Sequence, residues 1–66
     1  MKTIALLGAG LEQVDVIKLA KNLGYNVISL DSNISAPGAK ISDRFFRCDI
    51  SSFNALNKIL KNLEID

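Results

Sequence analysis

The chain has 66 residues, 48% of them hydrophobic and 23% charged, with a formal net charge of +1. That composition belongs to one small globular domain, and no apolar run approaches the roughly 18 residues of a membrane span. One cysteine and no histidine exclude an internal disulfide and leave a zinc site of the usual ligand types without support, and the lack of a basic block or aromatic stacking motif gives nothing that points to nucleic acid.

A chain of this length buries only about 60% of the surface its unfolded form exposes, so missing partner surface is expected. Met1-Lys2-Thr3 leads into too few apolar residues for a secretory signal, which makes cytoplasm the expected address.

Ile4-Ala5-Leu6-Leu7 is continuous rather than alternating, the pattern of a strand buried on both faces. It predicts β1 over residues 2–7, ended by Gly8. From Leu11 the apolar residues Leu11, Val14, Ile17, Ala20 and Leu23 recur every third position, with Gln13, Asp15, Lys18, Lys21 and Asn22 opposite. This predicts an amphipathic helix, α1. Gly24 stands just past it, where a left-handed terminating residue meets no Cβ clash, and Lys18 and Lys21 lie near the negative end of the helix dipole.

Val27-Ile28-Ser29-Leu30 predicts β2, ending at Asp31. Strand, helix and strand in about 30 residues make a βαβ unit with parallel strands. Residues 32–43 show no periodicity and carry Pro37-Gly38, so they read as a loop long enough to imply a purpose. Residues 44–50 read as a short third strand, β3, in which Phe45 and Phe46 are core or interface and Arg44 and Arg47 face solvent. Cys48 reads as a small packing residue.

Ser51 or Ser52 is placed to cap a second helix, α2, with Phe53, Leu56, Ile59, Leu60 and Leu63 as its apolar stripe. Glu64-Ile65-Asp66 then leaves α2 without a glycine stop, like the approach to a further strand. The fold class is α/β, a Rossmann-like parallel sheet fragment in the order β1-α1-β2-loop-β3-α2. A parallel sheet needs both faces covered, so a piece of a larger protein is expected.

Candidate chemistry gathers at Gly8-Ala9-Gly10-Leu11-Glu12-Gln13. Gly8 permits a tight reversal after β1, and Gly10 lets a ligand or backbone come close. The following helix start offers unpaired N–H groups and a positive dipole end, which suit phosphate or carboxylate. A dinucleotide fingerprint would place its third glycine where Gln13 stands, and Glu12 brings negative charge to the seat of a pyrophosphate. Asp31 ends β2 where a ribose-binding acid belongs, although it could equally serve a turn with Ser32 and Asn33.

Taken together, the chain resembles the N-terminal domain that precedes the ATP-binding part of ATP-grasp ligases. The likeness rests on Leu6-Leu7-Gly8-Ala9-Gly10 with Glu12-Gln13, on residues 21–28, and on Asp31-Ser32-Asn33 running through Ala36-Pro37-Gly38-Ala39 to Ser42-Asp43. The resemblance implies a single pre-ATP-grasp domain over residues 1–66, inactive alone. The ATP-grasp part, a partner in the same chain or a separate subunit, would supply the groups that hold ATP and magnesium. It would activate a carboxylate as an acyl phosphate for attack by an amine or similar nucleophile. Gly8, Gly10, Glu12 and Gln13, with Asp31 near the same edge, would then line the side facing a small-molecule substrate. Leu11 stands where some purine-pathway members place a polar contact, which leans the resemblance toward carbamoyl-phosphate synthase-like proteins.

The chain contains no nucleophile–base pair and no Gly-rich loop ending in Lys-Ser/Thr, so no catalytic residue or bound cofactor is expected in it. The alternative is a Rossmann-type module binding NAD or FAD through Gly8, Gly10 and Asp31, in an oxidoreductase or a regulatory subunit. A third class is an interaction domain whose sheet edge or helix face pairs with another chain or in a homo-oligomer.

Overall fold

β2, observed at Asn26–Asp31, is the middle strand of a three-stranded parallel sheet in the order β1-β2-β3, in a computed structural model that describes residues 2–65. Met1, and Asp66 of the expected approach to a further strand, lie outside the described residues. β1 (Thr3–Leu7) pairs with β2 from Thr3 opposite Asn26 to Leu7 opposite Leu30. β3 (Arg44–Arg47) pairs from Ile28 opposite Arg44 to Asp31 opposite Arg47. The three carboxyl ends therefore lie side by side.

The period-two alternation of a strand sends Val27 to one face and Ile28 and Leu30 to the other. Val27 packs with Ile17 and Ala20 of α1 (Val14–Asn22), joined by Ile4, Leu6, Tyr25 and Ile41. Ile28 and Leu30 pack with Cys48 beneath α2 (Phe53–Leu60), joined by residues such as Leu56, Ile59 and Leu63. The result is a three-layer arrangement with β2 covered on both sides. Ser29, the polar member of the run, is fully buried. Its hydroxyl meets that of Ser42 at 2.7 Å, and Ser42 donates onward to the Gly38 carbonyl at 2.8 Å, so Ser29 is the donor of the pair.

Several expectations hold. Gly24 takes φ +93° past α1, and Tyr25 N–H reaches back to the Ala20 carbonyl at 3.0 Å. Ser52 rather than Ser51 caps α2, its Oγ accepting the Ala55 N–H at 3.2 Å. Cys48 is a buried packing residue. Arg44 and Arg47 are exposed, with the Arg44 guanidinium 4.8 Å from the Phe46 ring centroid.

Four expectations are corrected. β1 is an edge strand whose residues are at most half-buried, with Leu7 exposed, because only β2 has neighbours on both sides. Leu11 and Leu23 do not join the buried face of α1; they are 77% and 65% exposed. A strict every-third repeat slips about 60° per step around a helix of 3.6 residues per turn, and residues Leu11–Gln13 form a tighter 3₁₀ turn. Only the middle of the repeat, Ile17 and Ala20, meets the sheet.

β3 ends at Arg47, not Ile50. Asp49 Oδ1 accepts both the N–H and the Oγ–H of Ser51, at 3.0 and 2.6 Å, and this local turn competes with the ladder. Phe53 is 78% exposed at the entry of α2; packing against the sheet begins at Ala55 and Leu56.

Leu30→Ala removes a fully buried side chain from the central strand. It should lower the unfolding free energy by about 2–5 kcal/mol, most of what so small a domain has to lose. Urea titration followed by circular dichroism measures this, and an unchanged midpoint would contradict the double-sided core.

Candidate functional site

Gly8 leaves β1 at φ +102°, a conformation that glycine adopts without strain, and donates its N–H to the Leu30 carbonyl at 2.6 Å. The reversal buries Ala9 completely. The Ala9 N–H donates to Asp31 Oδ2 at 2.8 Å, and the Ala9 carbonyl accepts the Gly38 N–H at 2.7 Å. A Cβ on Gly38 would lie 2.7 Å from Ile17 Cδ1 and 2.9 Å from the Ala9 oxygen. The loop of residues 32–43 therefore lies directly on the glycine turn, and only a glycine at 38 lets it approach so closely.

Gly10 is extended at φ −67°, ψ −179° and opens the 3₁₀ turn, with Gln13 N–H donating to its carbonyl at 2.9 Å. At such a start the N–H groups of Leu11 and Glu12 have no intrahelical acceptor. Glu12 is exposed and Gln13 half-buried. The Glu12 carboxylate folds back so that both oxygens lie 2.8 Å from where a Cβ on Gly10 would stand, so a negative charge rests over the turn.

Asp31 braces the turn. Besides Ala9, it accepts the Asn33 N–H on Oδ1 at 3.0 Å, and Asn33 Oδ1 in turn accepts the Ser35 N–H at 2.9 Å. The Asn33, Ala9 and Ser32 N–H groups hold its carboxyl below the ordinary value of 3.8, against a smaller opposing effect of burial. Both oxygens are thus engaged within the chain. This arrangement weakens the NAD or FAD alternative: the acid that would hold a ribose is tied to the turn, and Glu12 stands where a pyrophosphate would lie.

The structure brings Gly8, Gly10, Glu12, Gln13 and Asp31 together at the carboxyl ends of β1 and β2. Three contributors escape a reading of the sequence. Pro37-Gly38 signals a turn, but nothing in it says the turn lands on Ala9. Ser42 carries the anchor to Ser29. Ile50, freed when β3 ends early, brings Cδ1 to 3.9 Å from a Cβ position on Gly8. Among the described residues no cluster of His, Cys, Asp and Glu could hold a metal ion, and no helix is long and apolar enough to cross a membrane.

Gly38→Ala should cost about 1–3 kcal/mol by overpacking, seen as a lower urea midpoint, because the clash includes backbone; wild-type stability would refute the close approach. A second prediction concerns acid. Since the folded Asp31 carboxyl titrates below 3.8, the unfolded chain takes up the proton first. Its stabilisation is complete above about pH 4 and is lost as pH falls through the folded value. Asp49 is shifted the same way by Ser51, so urea midpoints from pH 7 to 3 should fall less steeply in both Asp31→Asn and Asp49→Asn than in the wild type. An unchanged slope in Asp31→Asn would contradict its role as a brace.

Residues 1–65 match the ribonucleotide synthetase preATP-grasp domain family. A curated relative, the formate-dependent phosphoribosylglycinamide formyltransferase of Prochlorococcus marinus subsp. pastoris, is 37% identical over 65 residues, which are 98% of this chain and 17% of that protein. Two solved structures are similar. N5-carboxyaminoimidazole ribonucleotide synthetase from Thermotoga maritima superposes with a TM-score of 0.68 at 30% identity, over 71% of this chain and 13% of its own. N5-carboxyaminoimidazole synthetase from Staphylococcus aureus, complexed with ADP, superposes with a TM-score of 0.79 at 26% identity, over 86% and 15%. The chain therefore spans well under a fifth of each of these proteins. Leu11 does not set it apart from ribonucleotide enzymes, and carbamoyl-phosphate synthase is the coarser likeness. By its parallel βαβ order and the match over residues 1–65, the chain belongs to the preATP-grasp domain family of ribonucleotide synthetases, among the ATP-grasp ligases.

Proposed function

We propose that this chain is the substrate-side domain of a cytoplasmic ATP-grasp ligase, inactive alone, and that residues 8–13 face a phosphoribosyl-bearing acceptor. The carrying observation is the braced turn: Asp31 and Gly38 hold Ala9 from both sides, which presents the helix start at the carboxyl end of the sheet, where open α/β folds bind ligands. The names of the relatives suggest the acceptor class: phosphoribosylglycinamide in one, a carboxyaminoimidazole ribonucleotide in another and carboxyaminoimidazole in the third. Formate in one name and ADP in another fit a carboxylate activated by ATP.

In this reading the carboxylate oxygen attacks the terminal phosphorus of ATP, releasing ADP and leaving an acyl phosphate. The acceptor amine then attacks the acyl carbon, the C–O bond to phosphate breaks, and inorganic phosphate leaves with the proton that the amine gives up. The groups for ATP and magnesium belong to the rest of the ligase. This chain's share is positioning: N–H groups of Leu11 and Glu12 toward an anion, the Gln13 amide as donor and acceptor, and the Glu12 carboxylate as acceptor for the amine or a hydroxyl. Gly8 and Gly10 keep Cβ atoms out of the approach, and Asp31 acts through Ala9.

The test is a graft in which residues 1–65 replace the matched segment of the Prochlorococcus formyltransferase. Glu12→Ala and Gln13→Ala should each raise the KM for phosphoribosylglycinamide about tenfold or more, the worth of a hydrogen bond involving a charged group, with the KM for ATP unchanged. An unchanged acceptor KM in both variants would overturn the assignment. So would micromolar binding of NADH to the chain that is lost in Asp31→Ala.

A further inference from the structure

Two carboxylates stand at the glycine turn, and they are held in opposite ways. Asp31 has both oxygens engaged by backbone N–H groups, of Ala9 at 2.8 Å and of Asn33 at 3.0 Å. The Glu12 carboxylate makes no hydrogen bond or ion pair among the described residues, so both of its oxygens are free to accept from a ligand. Its place over the turn is a matter of shape. Oε1 and Oε2 lie 2.8 Å, and Cδ 3.1 Å, from where a Cβ on Gly10 would stand, distances at which a methyl group and the carboxylate cannot both be present.

The backbone does not require a glycine at this position. At φ −67° and ψ −179° Gly10 is extended, a conformation open to every L residue, whereas Gly8 at φ +102° is not so placed. Nor does another element crowd it. At Gly38 a Cβ would meet the Ala9 carbonyl oxygen at 2.9 Å, but at Gly10 the three nearest atoms all belong to Glu12, the movable end of an exposed side chain. The first group that a Cβ at position 10 would displace is therefore the free carboxylate.

We propose that Gly10 is a positioning residue: its bare Cα is the seat of the Glu12 carboxylate, which it lets fold back over the turn with both oxygens turned to the acceptor's amine or hydroxyl. The approach left clear at Gly10 is taken by the chain's own acid, a use of the second glycine that a pyrophosphate site does not have. A side chain already folded toward the site has less rotamer freedom to lose when the acceptor binds. The consequence for the acceptor rests on the ligase reading; the seat itself does not.

Two measurements test this. In the chain alone, nuclear Overhauser contacts should join the Gly10 Hα protons to the Glu12 Hγ protons, and their absence would overturn the proposal. In the graft described above, Gly10→Ala should raise the KM for phosphoribosylglycinamide about tenfold, as Glu12→Ala does, with the KM for ATP unchanged. Its urea midpoint should hold or rise slightly, because the backbone is unstrained and the unfolded chain loses freedom. Gly10→Ala added to Glu12→Ala should change the acceptor KM by no more than about twofold, since the displaced group is already gone. A wild-type acceptor KM in Gly10→Ala beside a raised one in Glu12→Ala would sink the proposal. So would two effects that add, which would bring the ligand itself against Gly10, or a clearly lowered midpoint, which would make the glycine structural. An unchanged acceptor KM in Glu12→Ala and Gln13→Ala alike, with the Gly10–Glu12 contact present, fails the ligase reading and leaves the seat standing.

Discussion

Ala9 has both of its backbone groups taken by distant parts of the chain, its N–H by the Asp31 carboxylate and its carbonyl by the Gly38 N–H. These two bonds join the end of β1, the end of β2 and the long loop into one unit. A surface loop of twelve residues would ordinarily wander. Here it is tied at Ala9, at Ser29 through Ser42, and at Val27, whose N–H donates to Asp43 Oδ2 at 2.7 Å and whose carbonyl accepts the Asp43 N–H at 2.9 Å. Each tie satisfies a polar group that burial would otherwise penalise.

The brace also decides what the turn offers. In a dinucleotide site the glycine-rich backbone is kept open for a pyrophosphate, but here part of it is spent inward and Glu12 covers Gly10. The remaining donors, at Leu11 and Glu12, sit beside a fixed negative charge. Such a wall favours a ligand that pairs an anion with hydrogen-bond donors over one that is anionic throughout. In the proposed reading a phosphoribosyl amine would supply both kinds of group.

Local patterns made much of this legible in the sequence. β2 was readable because a strand covered on both sides needs a continuous apolar run, and Gly24 because a helix end at positive φ selects glycine. Gly8 and Asp31 declared the turn and its neighbouring acid by position. What could not be read was long-range or geometric. The every-third repeat named Leu11 and Leu23 as core, yet helical slippage carries them off the face. Gly38 looked like turn punctuation, and its reason, the 2.7 Å clash a Cβ would make with Ile17, exists only once loop and helix have met. For Asp31 both roles fit the sequence, and only its two engaged oxygens separate them.

The exposed edge and the braced turn are consecutive in the chain: β1 ends at Leu7, and Gly8 begins the reversal. In a parallel sheet every strand delivers its following loop to the same end. A strand added outside β1 would therefore set its own carboxyl-end loop beside residues 8–13. It would also make β1 interior, with one connection leaving to the β2 side and the next arriving from the other, and a crevice opens at such a reversal of strand order. Among the described residues no strand lies outside β1, which is part of the uncovered surface expected of so short a chain.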